Sequence, residues 1–249
     1  MSALLGLGLA LLLALPLPQA FQQALEASQA GRMAEALPLW NAVIADAPQE
    51  AAAWSNRGNV RLILGDPLGA IADQTRALEL DPDAGDAHLN RGTAEEALGR
   101  WDEASADYEA VLRQQPDAAS ALYNLGNVAG SKGDWSLARE QFLAAAEARP
   151  GFAMARSSAA LAALQLQQRD QAELELRRLI RRHPLFADAR AALTALLWQR
   201  GASGEAESHW AAASGLDSRY RNLSWLREVR RWPPRAVDAL GQFLTLTPA

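Results

Sequence analysis

Residues 51–84, AAAWSNRGNVRLILGDPLGAIADQTRALELDPDA, are followed in the same register by GDAHLNRGTAEEALGRWDEASADYEAVLRQQPDA at 85–118 and ASALYNLGNVAGSKGDWSLAREQFLAAAEARPGF at 119–152. Aligned, these stretches place proline at 82, 116 and 150, and the ladder runs outward to Pro48 and Pro184 without a slip. A fixed period of about 34 residues indicates a stacked repeat, in which each unit buries its apolar face only against its neighbours.

Other columns share the period. Alanine occupies 36, 70, 104, 138, 172 and 206. A position that stays small in every unit marks two helices crossing closely, where a longer side chain would hold them apart. Glycine stands at 31, 65, 99, 133 and 201, with Gln167 the exception. That column predicts a left-handed turn between the two helices of each unit. Four residues after the alanine come Trp40, Tyr108, Phe142, Leu176 and Trp210, a bulky column broken only by Gln74. Alanine and leucine dominate, β-branched residues are few and no stretch alternates as a strand does, so the class is all-α.

With these residues the chain resembles the tetratricopeptide repeat family. Residues 51–84 carry the motif as Trp54, Gly58, Gly65, Ala70, Ala77 and Pro82. Residues 119–152 carry it as Leu122, Leu125, Gly126, Gly133, Ala138, Phe142, Ala145 and Pro150. Residues 85–118 keep Gly92, Gly99, Ala104, Tyr108, Val111 and Pro116 but put His88 where the aromatic usually stands. Later units drift, with Ala160 and Thr194 in the glycine column and Ser218 in the proline column. The resemblance implies a right-handed α-solenoid of six helix-turn-helix repeats at 17–50, 51–84, 85–118, 119–152, 153–186 and 187–220, closed by a capping helix pair at 221–249.

Composition narrows the function. With no cysteine, disulfides and thiolate metal sites are excluded. Residues 17–118 hold 17 acids against 7 arginines, net −10, whereas 119–249 hold 12 acids against 17 bases, net +5. This gives the array an acidic end and a basic end, either ordinary solvated surface or a means of steering a partner or another copy of the chain. The overall net charge of −5 argues against nucleic acid as the main ligand. Arginine clusters at 177, 178, 181 and 182, and at 227, 230 and 231, are dense enough to meet acidic groups on a partner or anionic lipid.

From Ala3 to Pro18 the chain is apolar and uncharged, and its first charged residue is Glu26. This run is shorter than the ~20 residues of a comfortable membrane span. It reads as a signal peptide or N-terminal membrane anchor at 1–20, with Pro18-Gln19-Ala20 as a cleavage site, or as a buried helix covering the open end of the first repeat. At the other end Pro233 and Pro234 stop one helix and Pro234 opens the next, on which Ala236, Leu240, Phe243 and Leu244 share a face. This segment is expected to cap the last exposed groove. The stretch from Trp225 to Pro234 is similar to tails of tetratricopeptide repeat proteins from cyanobacteria and chloroplasts, including thylakoid-lumen members. That resemblance implies an exported protein, in the periplasm or the thylakoid lumen, the alternative being a cytoplasmic one.

No catalytic constellation is legible. His88, His183 and His209 lie far apart without metal-ligand spacing and read as surface or interhelical residues. Glu95-Glu96 and Asp102-Glu103 read as solvated or helix-end acids rather than an acid/base couple. No cofactor or metal is indicated. Arg57 and Arg91, where the family pattern has leucine, are expected to fork to acids on an adjacent helix.

In the family the first helix of each unit lines the concave surface, chiefly through its second, fifth, sixth, ninth, twelfth and thirteenth positions. Carried across, these place Asn56, Asn90 and Asn124 in one column and Asn59 and Asn127 in another. Ser55, Tyr123, Glu96, Met154, Leu161, Leu164 and Trp198 stand around them. An asparagine amide can donate and accept at once, so such a ladder suits the backbone of an extended peptide, although asparagine there also packs against the neighbouring unit. The reading is a non-enzymatic scaffold holding an extended or helical segment of a protein partner in the groove. The alternative is a membrane-tethered assembly factor for a photosynthetic complex, anchored through residues 3–18 and docking through its basic C-terminal half.

Overall fold

The computed structural model describes residues 17–246. The apolar run Ala3–Pro16, which carries most of the expected signal or anchor segment, lies outside the described residues. The chain divides after Gln114 into two compact units. In the first, α1 (Leu17–Gln29), α2 (Met33–Asp46), α3 (Ala51–Ile63), α4 (Pro67–Leu80), α5 (Gly85–Ala97) and α6 (Trp101–Gln114) form three antiparallel pairs. The second begins with the pairs α7 (Ala119–Ser131) and α8 (Trp135–Ala148), α9 (Ala153–Gln165) and α10 (Arg169–Arg182), and α11 (Ala187–Gln199) and α12 (Ser203–Leu216). A 3-10 turn (Ser218–Arg221), the short α13 (Leu223–Glu228) and α14 (Pro234–Leu246) complete it. Each unit is a helical-repeat stack, and the described residues contain no strand. No described helix is long and apolar enough to cross a membrane.

The small-residue columns set the packing. All six repeat alanines, from Ala36 to Ala206, are at most 1% exposed. Beside them, Gly58, Gly92 and Gly126 each meet the bulky residue sixteen positions on. A Cβ added at Gly92 would lie 2.6 Å from the Tyr108 ring, one at Gly126 2.6 Å from Phe142, and one at Gly58 2.7 Å from Gln74 Nε2. Two helices touch there backbone to side chain, and no heavier residue fits without a shift. Gln74 is fully buried despite its polarity, because its Nε2 donates to the Ser55 carbonyl at 2.9 Å and to Asn59 Oδ1 at 3.3 Å. Of the two drifted positions, Ala160 stands opposite Leu176, which is smaller than the rings of Tyr108 and Phe142, whereas Thr194 stands opposite Trp210.

The turns follow the glycine column. Gly31, Gly65, Gly99, Gly133 and Gly201 all take φ between 71° and 84°. Gln167, the exception in sequence, keeps the same left-handed geometry at φ 63° and bears the steric cost that glycine avoids. On α3, α5 and α11 the fourth residue of the first helix reaches the carbonyl of the preceding repeat proline. Trp54 Nε1 donates to the Pro48 carbonyl at 3.0 Å, Arg190 Nε donates to Pro184 at 2.8 Å, and His88 places Nε2 3.3 Å from the Pro82 carbonyl. His88 also places Nδ1 2.8 Å from Asp107 Oδ1, so its ring bridges the turn region and α6.

Two substitutions test this packing. Gly126→Val should destabilise the protein by about 1–3 kcal/mol through overpacking against Phe142, read as a fall in the thermal midpoint by circular dichroism. Gln167→Gly should raise that midpoint by the equivalent of roughly 0.5–1 kcal/mol, since the turn is already left-handed.

Candidate functional site

In the first unit, each of two neighbouring first helices is held by an arginine clip. Arg57 on α3 forks onto Asp73 of α4, Nε to Oδ2 at 2.8 Å and Nη2 to Oδ1 at 2.7 Å, while its Nη1 donates to Asn41 Oδ1 of α2 at 2.9 Å. Arg91 on α5 repeats the arrangement 34 residues on. It forks onto Asp107 of α6 at 2.8 and 2.7 Å, with Nη1 donating to Thr75 Oγ1 of α4 at 3.3 Å. The Asp107 carboxylate holds the Arg91 guanidinium above its ordinary pKa by hydrogen bonding and charge. Asp73 and Asp107 are nearly inaccessible, so each clip is a desolvated bidentate pair joining three helices. The expected forks are therefore formed, and they fix the rotation of α3 and α5. In the second unit Leu125 and Gln141 stand at the equivalent positions, so the device stops there.

Rotation set this way turns Ser55, Asn56, Asn59, Asp86 and Asn90 toward a cleft of about 500 Å³ that Ala77 and Asp81 of the intervening pair also line. Asn56 gives its Nδ2 to the Ala52 carbonyl of its own helix at 2.8 Å, and its Oδ1 accepts no hydrogen bond among the described residues. Asn90, one repeat on, is half-buried and makes no side-chain hydrogen bond within the described residues. Asn59 spends its Oδ1 on Gln74, so it acts first in packing. Glu95 and Glu96, expected as solvated acids, are buried. Glu95 pairs with Arg100 at 3.2 Å and Glu96 accepts the Tyr108 phenol, because α5 turns both inward.

The second unit uses the equivalent positions differently. Asn124 and Asn127 are half-buried on α7, and Tyr123 packs its ring on Phe142 at 5.4 Å and Phe152 at 5.1 Å. On α9 and α11 the groove positions are occupied by the chain's own C-terminal segment. Helix α14 packs on both, and Trp198 meets Phe243 edge-on at 5.7 Å. Leu161 and Leu164 are buried in the same core. Gln165 Oε1 accepts the Arg235 backbone N–H at 3.0 Å and Gln199 Nε2 donates to the Arg235 carbonyl at 3.3 Å, bracketing the first turn of α14.

The segment is locked by Asp188, which is 0% exposed. Its carboxylate accepts from Ser157 Oγ at 2.6 Å, Tyr220 Oη at 2.8 Å, Arg230 Nε and Nη2 at 2.9 and 2.8 Å, and Trp232 Nε1 at 3.2 Å. Burial alone would raise the Asp188 pKa, but the Arg230 charge and the donated hydrogen bonds more than offset it and hold the carboxyl below its ordinary value. Burial and the neighbouring Asp188 charge push the Tyr220 phenol well above its own. The arginine clusters read from sequence are correspondingly thinned. Arg230 is buried on Asp188, and Arg177 is engaged by Glu205 at 2.6 Å and Glu173 at 2.8 Å. Sequence reasoning missed Asp188 because its donors stand 31 to 44 residues away and share no spacing rule.

A family model described as tetratricopeptide repeat matches residues 21–87 and 89–153. Among solved structures, a tetratricopeptide repeat protein from Parabacteroides merdae superposes with a TM-score of 0.67 at 18% identity, covering 92% of both chains. The protein MamA gives 0.58 at 21% identity over 66% of this chain and 90% of its own. YrrB, described as a tetratricopeptide repeat protein with an unusual peptide-binding site, gives 0.56 at 21% identity over 72% and 92%. No curated protein matches the sequence.

Asp188→Asn should cost about 3–5 kcal/mol, since it leaves Arg230 buried without a counter-charge; chemical denaturation measures this. The depressed Asp188 pKa also fixes a sign. Its contribution is fully present above the ~3.9 of an unfolded aspartate and is lost as pH falls below that value toward the lower folded one. Wild type should therefore lose stability across that acidic window more steeply than Asp188→Asn.

Proposed function

Because the chain belongs to the tetratricopeptide repeat family, whose members are protein-interaction scaffolds, we propose that its first unit holds an extended segment of a partner protein along α3 and α5. The observation that carries this reading is the cleft in which Asn56 and Asn90 stand one repeat apart with amide atoms not used by the fold. Each can pair with a peptide group whatever the side chain beside it, which favours shape and backbone over sequence. The exposed carboxylates of Asp81 and Asp86 on the same cleft, in a unit rich in acids, favour a segment carrying lysine or arginine. The matching face of α9 and α11 is filled by α14, so these helices contribute less to this binding. Family membership and the lack of a catalytic constellation support a binding role rather than an enzymatic one.

Export or membrane attachment belongs to the same proposal and is supported by the uncharged run Ala3–Pro18. Ala20, 1% exposed, begins the packed stripe of α1 that continues through Ala24 and Ala27. Cleavage after Ala20 would remove part of that stripe, which favours a retained tether over a cleaved signal. N-terminal sequencing of the mature protein decides between them, with a new terminus at Phe21 ruling out the tether.

The binding test is Asn56→Ala combined with Asn90→Ala. The one side-chain hydrogen bond either makes among the described residues is that of Asn56 to its own helix, so the helical signal should stay unchanged while the dissociation constant for a captured partner segment rises at least tenfold. Unchanged affinity with intact helicity would remove these residues from the site.

A further inference from the structure

A second cavity, in the second unit, has a chemistry that the peptide-binding reading does not use. It is an open cleft of about 580 Å³, within the range of ligand sites, where the start of α9 meets the end of α10. Its walls carry Arg156, Arg178, Arg181, Arg182 and His183, with Glu175 as the one acid and Leu179 and Ala153 as apolar surface. Glu175 is already taken by Arg178 Nη1 at 2.8 Å. Arg181 and Arg182 end α10, where cations complement the helix dipole. That role accounts for these two and leaves Arg156, which comes from a different helix.

Arg156 is the informative residue. It stands in a column in which Trp54, His88 and Arg190 place a side-chain nitrogen at the carbonyl of the preceding repeat proline, while Leu122 has no such nitrogen to offer. Arg156 makes no such bond to Pro150. Half-buried, it lines both this cavity and a smaller one of about 100 Å³ that shares Glu175. Gly151, at φ 89° with nothing within 4 Å of an added Cβ, leaves the edge of the cavity open. Guanidinium groups converging from two helices, with no acid left to neutralise them, are arranged to grip carboxylates by forked hydrogen bonds.

We propose that this cavity binds an acidic peptide segment of a partner protein, with adjacent Asp or Glu side chains held by Arg156, Arg181 and Arg182. A concave site is the geometric reason for choosing a peptide over a lipid surface. A flat bilayer can reach the exposed ends of Arg181 and Arg182, whereas a narrow chain can also enter to Arg156. The site is separate from the asparagine cleft of the first unit, and neither depends on the other.

The test is fluorescence anisotropy of a labelled hexaglutamate peptide titrated with the full-length protein at low salt, with hexalysine as the opposite-charge probe. Arg156→Gln with Arg182→Gln should weaken hexaglutamate binding at least tenfold. Arg181→Gln with Arg182→Gln, confined to exposed ends, should weaken it at least threefold without any change in helicity. The control pair Arg227→Gln with Arg235→Gln removes equal charge elsewhere in the unit and should change binding less than twofold, and Asn56→Ala with Asn90→Ala should leave it unaltered. Equal weakening by the control pair would reduce the effect to net charge and overturn the proposal. So would the absence of hexaglutamate binding below millimolar peptide. Sedimentation with phosphatidylserine vesicles that the cavity variants abolish, without peptide binding, would assign the arginines to a membrane instead. Concentration-dependent oligomers lost in the same variants would assign them to a second copy of this chain.

Discussion

Everything in this protein rests on helices that approach closely enough for backbone to meet side chain. The alanine column is buried in all six pairs, and Gly58, Gly92 and Gly126 let Gln74, Tyr108 and Phe142 lie directly against a neighbouring helix. Because apolar contact at that distance leaves no room for adjustment, the crossing fixes the separation and angle of each pair. The left-handed turn then fixes where the next helix starts. Residues with nothing in common chemically can occupy the remaining positions, and this frees the exposed faces for function.

The two units use that freedom in opposite ways. In the first, arginine clips orient α3 and α5 and keep a polar face open. Each clip satisfies a buried aspartate with a fork and reaches back to a third helix, so removing either partner would leave a desolvated charge. In the second, the same face is closed on α9 and α11 by the chain itself. Asp188 occupies a groove position and is buried under donors from the 3-10 turn and from the segment that precedes α14, while Phe243 and Leu240 fill the apolar space beside Trp198. One face thus stays uncovered by the chain's C-terminal segment, and the other is spent on finishing the fold. A repeat array needs such a finish, since its last pair would otherwise leave apolar surface in water.

The fate of the charged residues follows from the same division. Net charge per half is visible in the sequence, but it does not say which arginines remain available. Arg57, Arg91, Arg177 and Arg230 are consumed by internal carboxylates. Arg156, Arg181 and Arg182 form no ion pair among the described residues, and they line one cavity. The two proposed binding surfaces are therefore chemically distinct, one presenting amides and carboxylates and the other guanidinium groups.

Much of the fold was determined locally. The proline, alanine and glycine columns recur every 34 residues because each unit meets an identical neighbour, so the periodic text carries helix pairs, turns and close crossings. The forks of Arg57 and Arg91 were legible for the same reason, since residues 16 apart are brought together in every pair. What only the tertiary structure decided is aperiodic: the inward turn of Glu96, the left-handed Gln167, the burial of Asp188 and the docking of α14 on α9 and α11. Asp188 and Arg230 are 42 residues apart and belong to different kinds of element. Their pairing depends on how a unique segment lands on a regular stack, and no repeat pattern encodes a contact that is made once.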